Sequence, residues 1–245
     1  MNFYPRLLFI VCLLAAKPDV SFSQSGLSSI SGYVDPALSH NRLMREQNQE
    51  GDYKLIGTYK VVGSSYLYGE KHKGDIFSKD EKAYNISISY DTYKQEVEFY
   101  SSSNTNKPLV KLPGDLDSFI IKRDSSAEIS NDILFIYAPV LGSAEKSYLQ
   151  VIQAGPRFSI YKRYKSELGY VSSNYVQSEL REFDLNVDYF YYDSETKALK
   201  KLKPNLGTII KEFKNIKDVS AAADKDDFTT DPDRAFKKIF LFLNS

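Results

Sequence analysis

The sequence predicts a mainly β fold. It is expected to be an antiparallel meander forming a curled sheet, sandwich or partial barrel, with one or two C-terminal amphipathic helices packed on it. Three observations carry this reading. Short runs that alternate apolar and polar residues recur between about residues 53 and 203, separated by clusters rich in Ser, Asn, Asp, Gly and Pro. The chain holds 19 Tyr and 15 Phe but no Trp, a composition that favours pleated, half-buried surfaces. Beyond residue 203 the apolar period changes from two to that of a helix.

In chain order, residues 1–23 read as a secretory signal peptide. Arg6 supplies the charge, Leu7–Ala16 an unbroken apolar run, and Ser21-Phe22-Ser23 the small residues of a cleavage site. The run is too short to cross a bilayer as a retained helix. Cys12, the one cysteine, lies inside it, so the processed chain is expected to carry neither disulfide nor thiol chemistry. These features predict an exported protein, periplasmic or associated with the cell envelope, with no transmembrane segment after cleavage.

Residues 24–52 are polar and read as a flexible leader with a short helix over Pro36–Glu46. The β body follows over 53–203, beginning with a strand at Tyr53–Val62. Its clearest element is the hairpin of Tyr84–Tyr90 and Gln95–Tyr100. Period two puts Ile86, Ile88 and Tyr90 on a dry face and Asn85, Ser87 and Ser89 on a wet one, with Glu96 and Glu98 also facing water. Further strands are expected at Gly74–Lys79, Pro108–Leu112, Ser118–Lys122, Ile133–Ala138, Tyr148–Gln153, Arg157–Tyr164, Asp188–Asp193 and Ala198–Lys203. Ile133–Tyr137 is apolar at every position and should be covered on both faces. Ser166–Asn186, of mixed polarity, is expected to be a long loop.

The C-terminal region, 204–245, carries two helical stripes: Leu206, Ile209, Ile210 and Phe213, then Phe236, Ile239, Phe240 and Leu243. Asp231-Pro232-Asp233 opens the second with an N-cap acceptor, a proline at the first helical position and an acid near the positive pole. Ser220–Phe228 reads as a weak third helix or a linker.

Little in the chain points to a reaction. Thirty-two basic residues balance 32 acidic ones, so no global field steers polyanions, and nucleic acid is not an expected partner. His40 falls in the leader. His72, with Glu70 on its face, reads as a solvated turn histidine, because zinc would need further ligands that the sequence does not offer. No G-x-S-x-G elbow occurs. Glu96, Glu98, Asp188 and Asp193 are the acids a carboxylate-based, glycosidase-like hydrolase would draw on. Asp224–Asp227 and Asp231–Asp233 superficially suggest a calcium loop, but the central Gly and terminal Glu are missing and helix capping accounts for the acids. Tyr189–Tyr192 reads as sheet core plus a half-exposed face. Lys197, Lys200, Lys201, Lys203, Lys211, Lys214 and Lys217 form a basic cluster of the kind that can touch anionic lipid. No catalytic, cofactor-binding or metal-ligating residue is assigned, and no cofactor is expected.

Gly63-Ser64-Ser65-Tyr66-Leu67, Lys73-Gly74-Asp75-Ile76, Ile88–Phe99 and Ile160–Tyr164 together resemble a pattern in uncharacterised secreted β-rich proteins of Bacteroidota. The resemblance runs from about residue 53 to 243. Ser89 stands where arginine is usual and Ser65 where proline is common. It implies export and a β-rich body and carries no activity, so no functional residue transfers. The combined expectation is an exported envelope protein acting as a non-catalytic binding or accessory module for a protein, glycan or lipid. The alternatives are a carboxylate-based hydrolase and a peripheral membrane accessory using the lysine-rich helices.

Overall fold

The computed structural model describes residues 54–56, 59–101, 104–170 and 180–245. The signal-peptide reading of 1–23, the leader with its Pro36–Glu46 helix, and His40 lie outside these residues. The described residues divide into two units, one holding 54–56, 59–62 and Leu180, the other 63–101, 104–170 and 181–245. In the first, β1 (Lys54–Ile56) and β2 (Tyr59–Val62) pair as an antiparallel hairpin, so the single strand expected there is two.

The second unit is a mainly antiparallel sheet. Its strands are β3 (His72–Phe77), β4 (Lys82–Asp91), β5 (Glu96–Ser101), β6 (Asn104–Lys111), β7 (Ser118–Ile121), β8 (Ile133–Tyr137), β9 (Tyr148–Gln153), β10 (Phe158–Tyr170), β11 (Leu180–Asp193) and β12 (Ala198–Leu202). They run side by side in the order β12-β11-β10-β9-β8-β7-β3-β4-β5-β6, each pair antiparallel. Three helices follow: α1 (Leu206–Phe213), α2 (Lys225–Thr230) and α3 (Pro232–Leu243). The weak element expected near 220–228 is therefore a helix, starting at Lys225.

On β4 the dry face is as expected at Ile88 and Tyr90, both fully buried, but Ser89, expected to be wet, is 1% exposed, its Oγ accepting from Lys71 N at 2.9 Å. The strand ends at Asp91, whose Oδ1 accepts from Tyr93 N at 2.9 Å and Lys94 N at 3.1 Å to start the turn. Gln95 closes that turn at φ 60°. Its amide then stitches the sheet onto itself, Nε2 donating to Thr92 O at 2.7 Å and to Tyr164 O on β10 at 3.0 Å. Ser166 N also donates to Thr92 O, at 3.1 Å. The strand order is open, yet the β4–β5 turn reaches across to β10, which gives the curl its partial-barrel character.

The strands pack closely at Gly74 on β3. A Cβ there would lie 2.2 Å from Ile88 Cδ1 and 2.5 Å from Ile120 O, so only glycine lets the neighbouring strands approach. Inside the curl, Tyr90, Phe119, Phe135 and Tyr148 form the aromatic centre of one core. Phe119 and Phe135 stack with centroids 4.7 Å apart and Tyr148 packs edge-on to Phe119 at 5.1 Å. A second core lies where α1–α3 cover β10–β12, built on Ile160, Tyr191, Phe213, Phe236, Ile239 and Phe240.

Four further expectations need correction. The long loop expected over Ser166–Asn186 is strand over 166–170 and 180–186, where β10 and β11 pair from Phe158↔Asp193 to Tyr170↔Arg181, and its remaining residues lie outside the described ones. Its mixed polarity arises because β9 stops at Arg163 and β12 at Tyr189, so alternation is not enforced by those neighbours further out. Ile133–Tyr137 is central, but only Phe135 is fully buried and Leu134 is exposed on the outer face. Glu98 does not face water: it is 8% exposed, because Gly63–Lys71 folds over the polar side of β4 and β5 and Tyr66 Oη donates to Glu98 Oε2 at 2.8 Å. His72 is not a solvated turn residue either. It begins β3, is 4% exposed, and its Nδ1 lies 3.7 Å from Asp124 Oδ2.

Candidate binding cleft

On β9 the inward residues are Tyr148, Gln150 and Ile152, and on β10 they are Ile160, Lys162 and Tyr164. Two polar side chains thus interrupt an otherwise apolar parity. They are cross-strand partners, Lys162↔Gln150, and the row continues onto β11 as Lys162↔Tyr189. This row is the seam between the two cores. Tyr148 and Tyr164 belong to the aromatic core of the curl, Ile160 and Tyr189 to the helix-covered core.

Over the seam lies a cleft of about 600 Å³, within the range that holds small ligands. Tyr68 lines one side, Gln150, Val151 and Ile152 the floor, Glu128–Ile133 a second side, and Asp231, Asp233, Arg234 and Lys237 from the start of α3 the third. The local sequence explains how α3 presents these groups. Asp231 caps the helix, its Oδ1 accepting from Arg234 N at 3.0 Å, and Pro232 occupies the first turn. Asp233 then points back toward the sheet.

Two hydrogen-bond chains pre-orient the walls. Tyr189 Oη donates to Asp233 Oδ1 at 2.6 Å and Lys162 Nζ donates to Asp233 Oδ2 at 2.9 Å, so both carboxylate oxygens are engaged. The Lys162 ammonium also sits 5.0 Å from the Tyr164 ring centroid. Tyr164 Oη donates to Gln150 Oε1 at 2.8 Å and lies 3.1 Å from Tyr68 Oη. Tyr164 has a single proton and spends it on Gln150, so Tyr68 is the donor in that pair. Burial pushes the Tyr164 phenol up to about 12. Burial also raises Tyr68 and Tyr189, reinforced at Tyr189 by its bond to the Asp233 carboxylate, so all three stay neutral donors at physiological pH.

The four acids that a carboxylate-based hydrolase would draw on are placed elsewhere. Glu96 and Glu98 lie on β5, Glu98 bonded to Tyr66. Asp188 accepts from Arg163 and lies 2.5 Å from Lys201 Nζ. Burial tends to raise the Asp188 carboxyl, but the Lys201 and Arg163 bonds outweigh it and the net shift is downward. Asp193 faces Arg157 at 3.7 Å. None of the four lines the cleft. Asp224 and Asp227 form a capping box for α2, with Lys238 Nζ 3.0 Å from Asp227. Of the basic cluster, Lys200 lies 3.7 Å from Glu212, and Lys217 donates to Phe242 O at 2.7 Å. Among the described residues no group of three or more His, Cys, Asp or Glu is arranged to hold a metal ion. No helix of the described residues is long and apolar enough to cross a membrane.

The sequence does not single out Gln150, Lys162 or Tyr68, and it marks Asp233 only as an acid at a helix start. The signal was present as broken parity on two successive strands, but the partners that give it meaning are distant: Asp233 is 71 positions from Lys162 and Tyr68 is 96 from Tyr164. No protein-family model matches the chain, and no curated protein or solved structure matches it either.

Proposed function

We propose that the chain is an exported cell-envelope protein that binds a neutral, polyhydroxylated ligand, a glycan, in the cleft over the β9–β10 seam without turning it over. The observation that carries this reading is the pre-oriented polar lining itself. Tyr68, at 38% exposure, offers a partly open ring and a hydroxyl. Gln150, Ser130 and Asn131 add neutral donors and acceptors, and Arg234 and Lys237 add donors at the rim. Four acids and two basic residues line the cleft, so an anionic ligand would meet net repulsion and a hydroxyl-rich one would not. Asp231 and Asp233 are engaged in the cap and in the Lys162–Tyr189 pairing, which suits fixed walls better than proton transfer.

Calorimetric titration with cellotetraose, xylotetraose, maltotetraose and chitotetraose tests it. One of these should bind without new reducing ends appearing. Tyr68→Ala and Gln150→Ala should each weaken binding roughly tenfold, about 1.4 kcal/mol, with the far-ultraviolet spectrum unchanged. Failure of all four to bind, or accumulation of cleaved products, would overturn the reading. Export is checked separately by N-terminal sequencing of protein from the envelope fraction, which should begin near Gln24.

A further inference from the structure

At the opposite end of the curl the sheet leaves a second cavity, about 400 Å³, that no part of the seam reaches. Its interior is apolar. Ile76 and Ala83 are cross-strand partners on β3 and β4, Phe99 comes from β5, and Leu116, 1% exposed, closes the floor. Its mouth is charged: Lys82 and Lys111 flank it, with Glu81 3.9 Å from Lys111. Glu81 offsets one lysine and leaves the mouth net positive. Just outside, Leu109 pairs with Phe99 on the same face and is 54% exposed, extending the apolar surface past the rim.

An apolar interior under a net positive mouth is complementary to one kind of molecule. The geometry points to a binding site for a free single-chain aliphatic carboxylate, its chain inserted between Ile76, Ala83, Phe99 and Leu116 and its carboxylate held between Lys82 and Lys111. The chain gains by leaving water, and the charge selects the head group. A short acid lacks the first contribution and a cationic amphiphile meets repulsion at the second. The site is independent of the glycan reading, because the two cavities share no residue.

Calorimetry or native mass spectrometry with dodecanoate below its aggregation concentration tests this, with butanoate and dodecyltrimethylammonium as comparators. Dodecanoate should bind one to one, and each comparator at least tenfold more weakly. Ala83→Leu, which fills the interior, should reduce dodecanoate binding at least tenfold while leaving the cleft ligand's affinity unchanged. The surface variant Lys82→Glu with Lys111→Glu, which touches no core contact, should reverse the preference between anionic and cationic amphiphiles. Equal binding of the two head groups, wild-type affinity in the charge-reversed variant, or attachment only to anionic vesicles with no binding of monomeric dodecanoate would each overturn the assignment.

Discussion

The two ends of the sheet bury the same face by different means. Around β3–β9 the sheet supplies its own cover by curling, and the enclosed space is filled by Tyr90, Phe119, Phe135 and Tyr148 at ring distances of 4.7 to 5.9 Å. Around β10–β12 the strands stay open, and α1 and α3 lay their apolar stripes across them, with Phe236 against Tyr189 at 4.6 Å and Phe213 against Tyr191 at 5.1 Å. A curled sheet has continuous backbone bonding between its walls, whereas a helical lid is held by side chains and a few polar ties. The lid is therefore the half that can loosen first, and the cleft sits where the two halves meet.

The largest expected effects would break that comparison directly. Phe119→Ala and Phe236→Ala should each cost about 3–5 kcal/mol in denaturant unfolding. Hydrogen exchange should separate them: Phe236→Ala should speed exchange in α1–α3 while β3–β9 remain protected, and Phe119→Ala should lower protection throughout. Identical exchange patterns would mean that the two cores open as one.

A smaller effect concerns the stitch that completes the curl. Besides its two donor bonds, Gln95 accepts from Tyr90 Oη at 2.7 Å and Tyr148 N at 3.3 Å. Gln95→Glu replaces the amide donors with an oxygen facing two carbonyls and should cost about 1–3 kcal/mol at neutral pH, read as a lower denaturation midpoint with unchanged slope. A midpoint equal to wild type would mean the turn does not hold β10.

Alkali should release both halves. The folded Tyr164 phenol is raised to about 12 from its ordinary value near 10. Its contribution to stability is fully present below about pH 10 and is lost as pH rises through about 12. Tyr90 and Tyr148 in the curl and Tyr189 and Tyr191 under the lid are raised in the same direction, chiefly by burial. Tyrosinate absorbance should thus rise in two phases, exposed rings first and buried rings together with loss of the β circular dichroism signal. A single phase completed before unfolding would contradict the burial of these phenols. The smallest effect is at the lid's hinge, where Asp231→Ala should cost about 1 kcal/mol through the lost cap.

What could be read from sequence was local. The alternation of Ile86, Ile88 and Tyr90, the stripe of Phe236, Ile239, Phe240 and Leu243, and the Asp231-Pro232-Asp233 start each depend on neighbours a few positions away. What escaped was set by distant partners. Glu98 looked solvated until Tyr66, 32 positions earlier, folded over it. His72 looked like a turn residue until β3 and Asp124 enclosed it. Lys162 is the most instructive case. An inward lysine between Ile160 and Tyr164 breaks the apolar parity, and its partners Gln150 and Asp233 line the cleft.

Backbone amide shifts in a two-dimensional NMR titration with the tightest-binding tetrasaccharide test the cleft most directly. The perturbations should concentrate on residues 128–133, 150–152 and 231–237. Saturable shifts centred instead on β5 and β6, with these segments unmoved, would contradict the account.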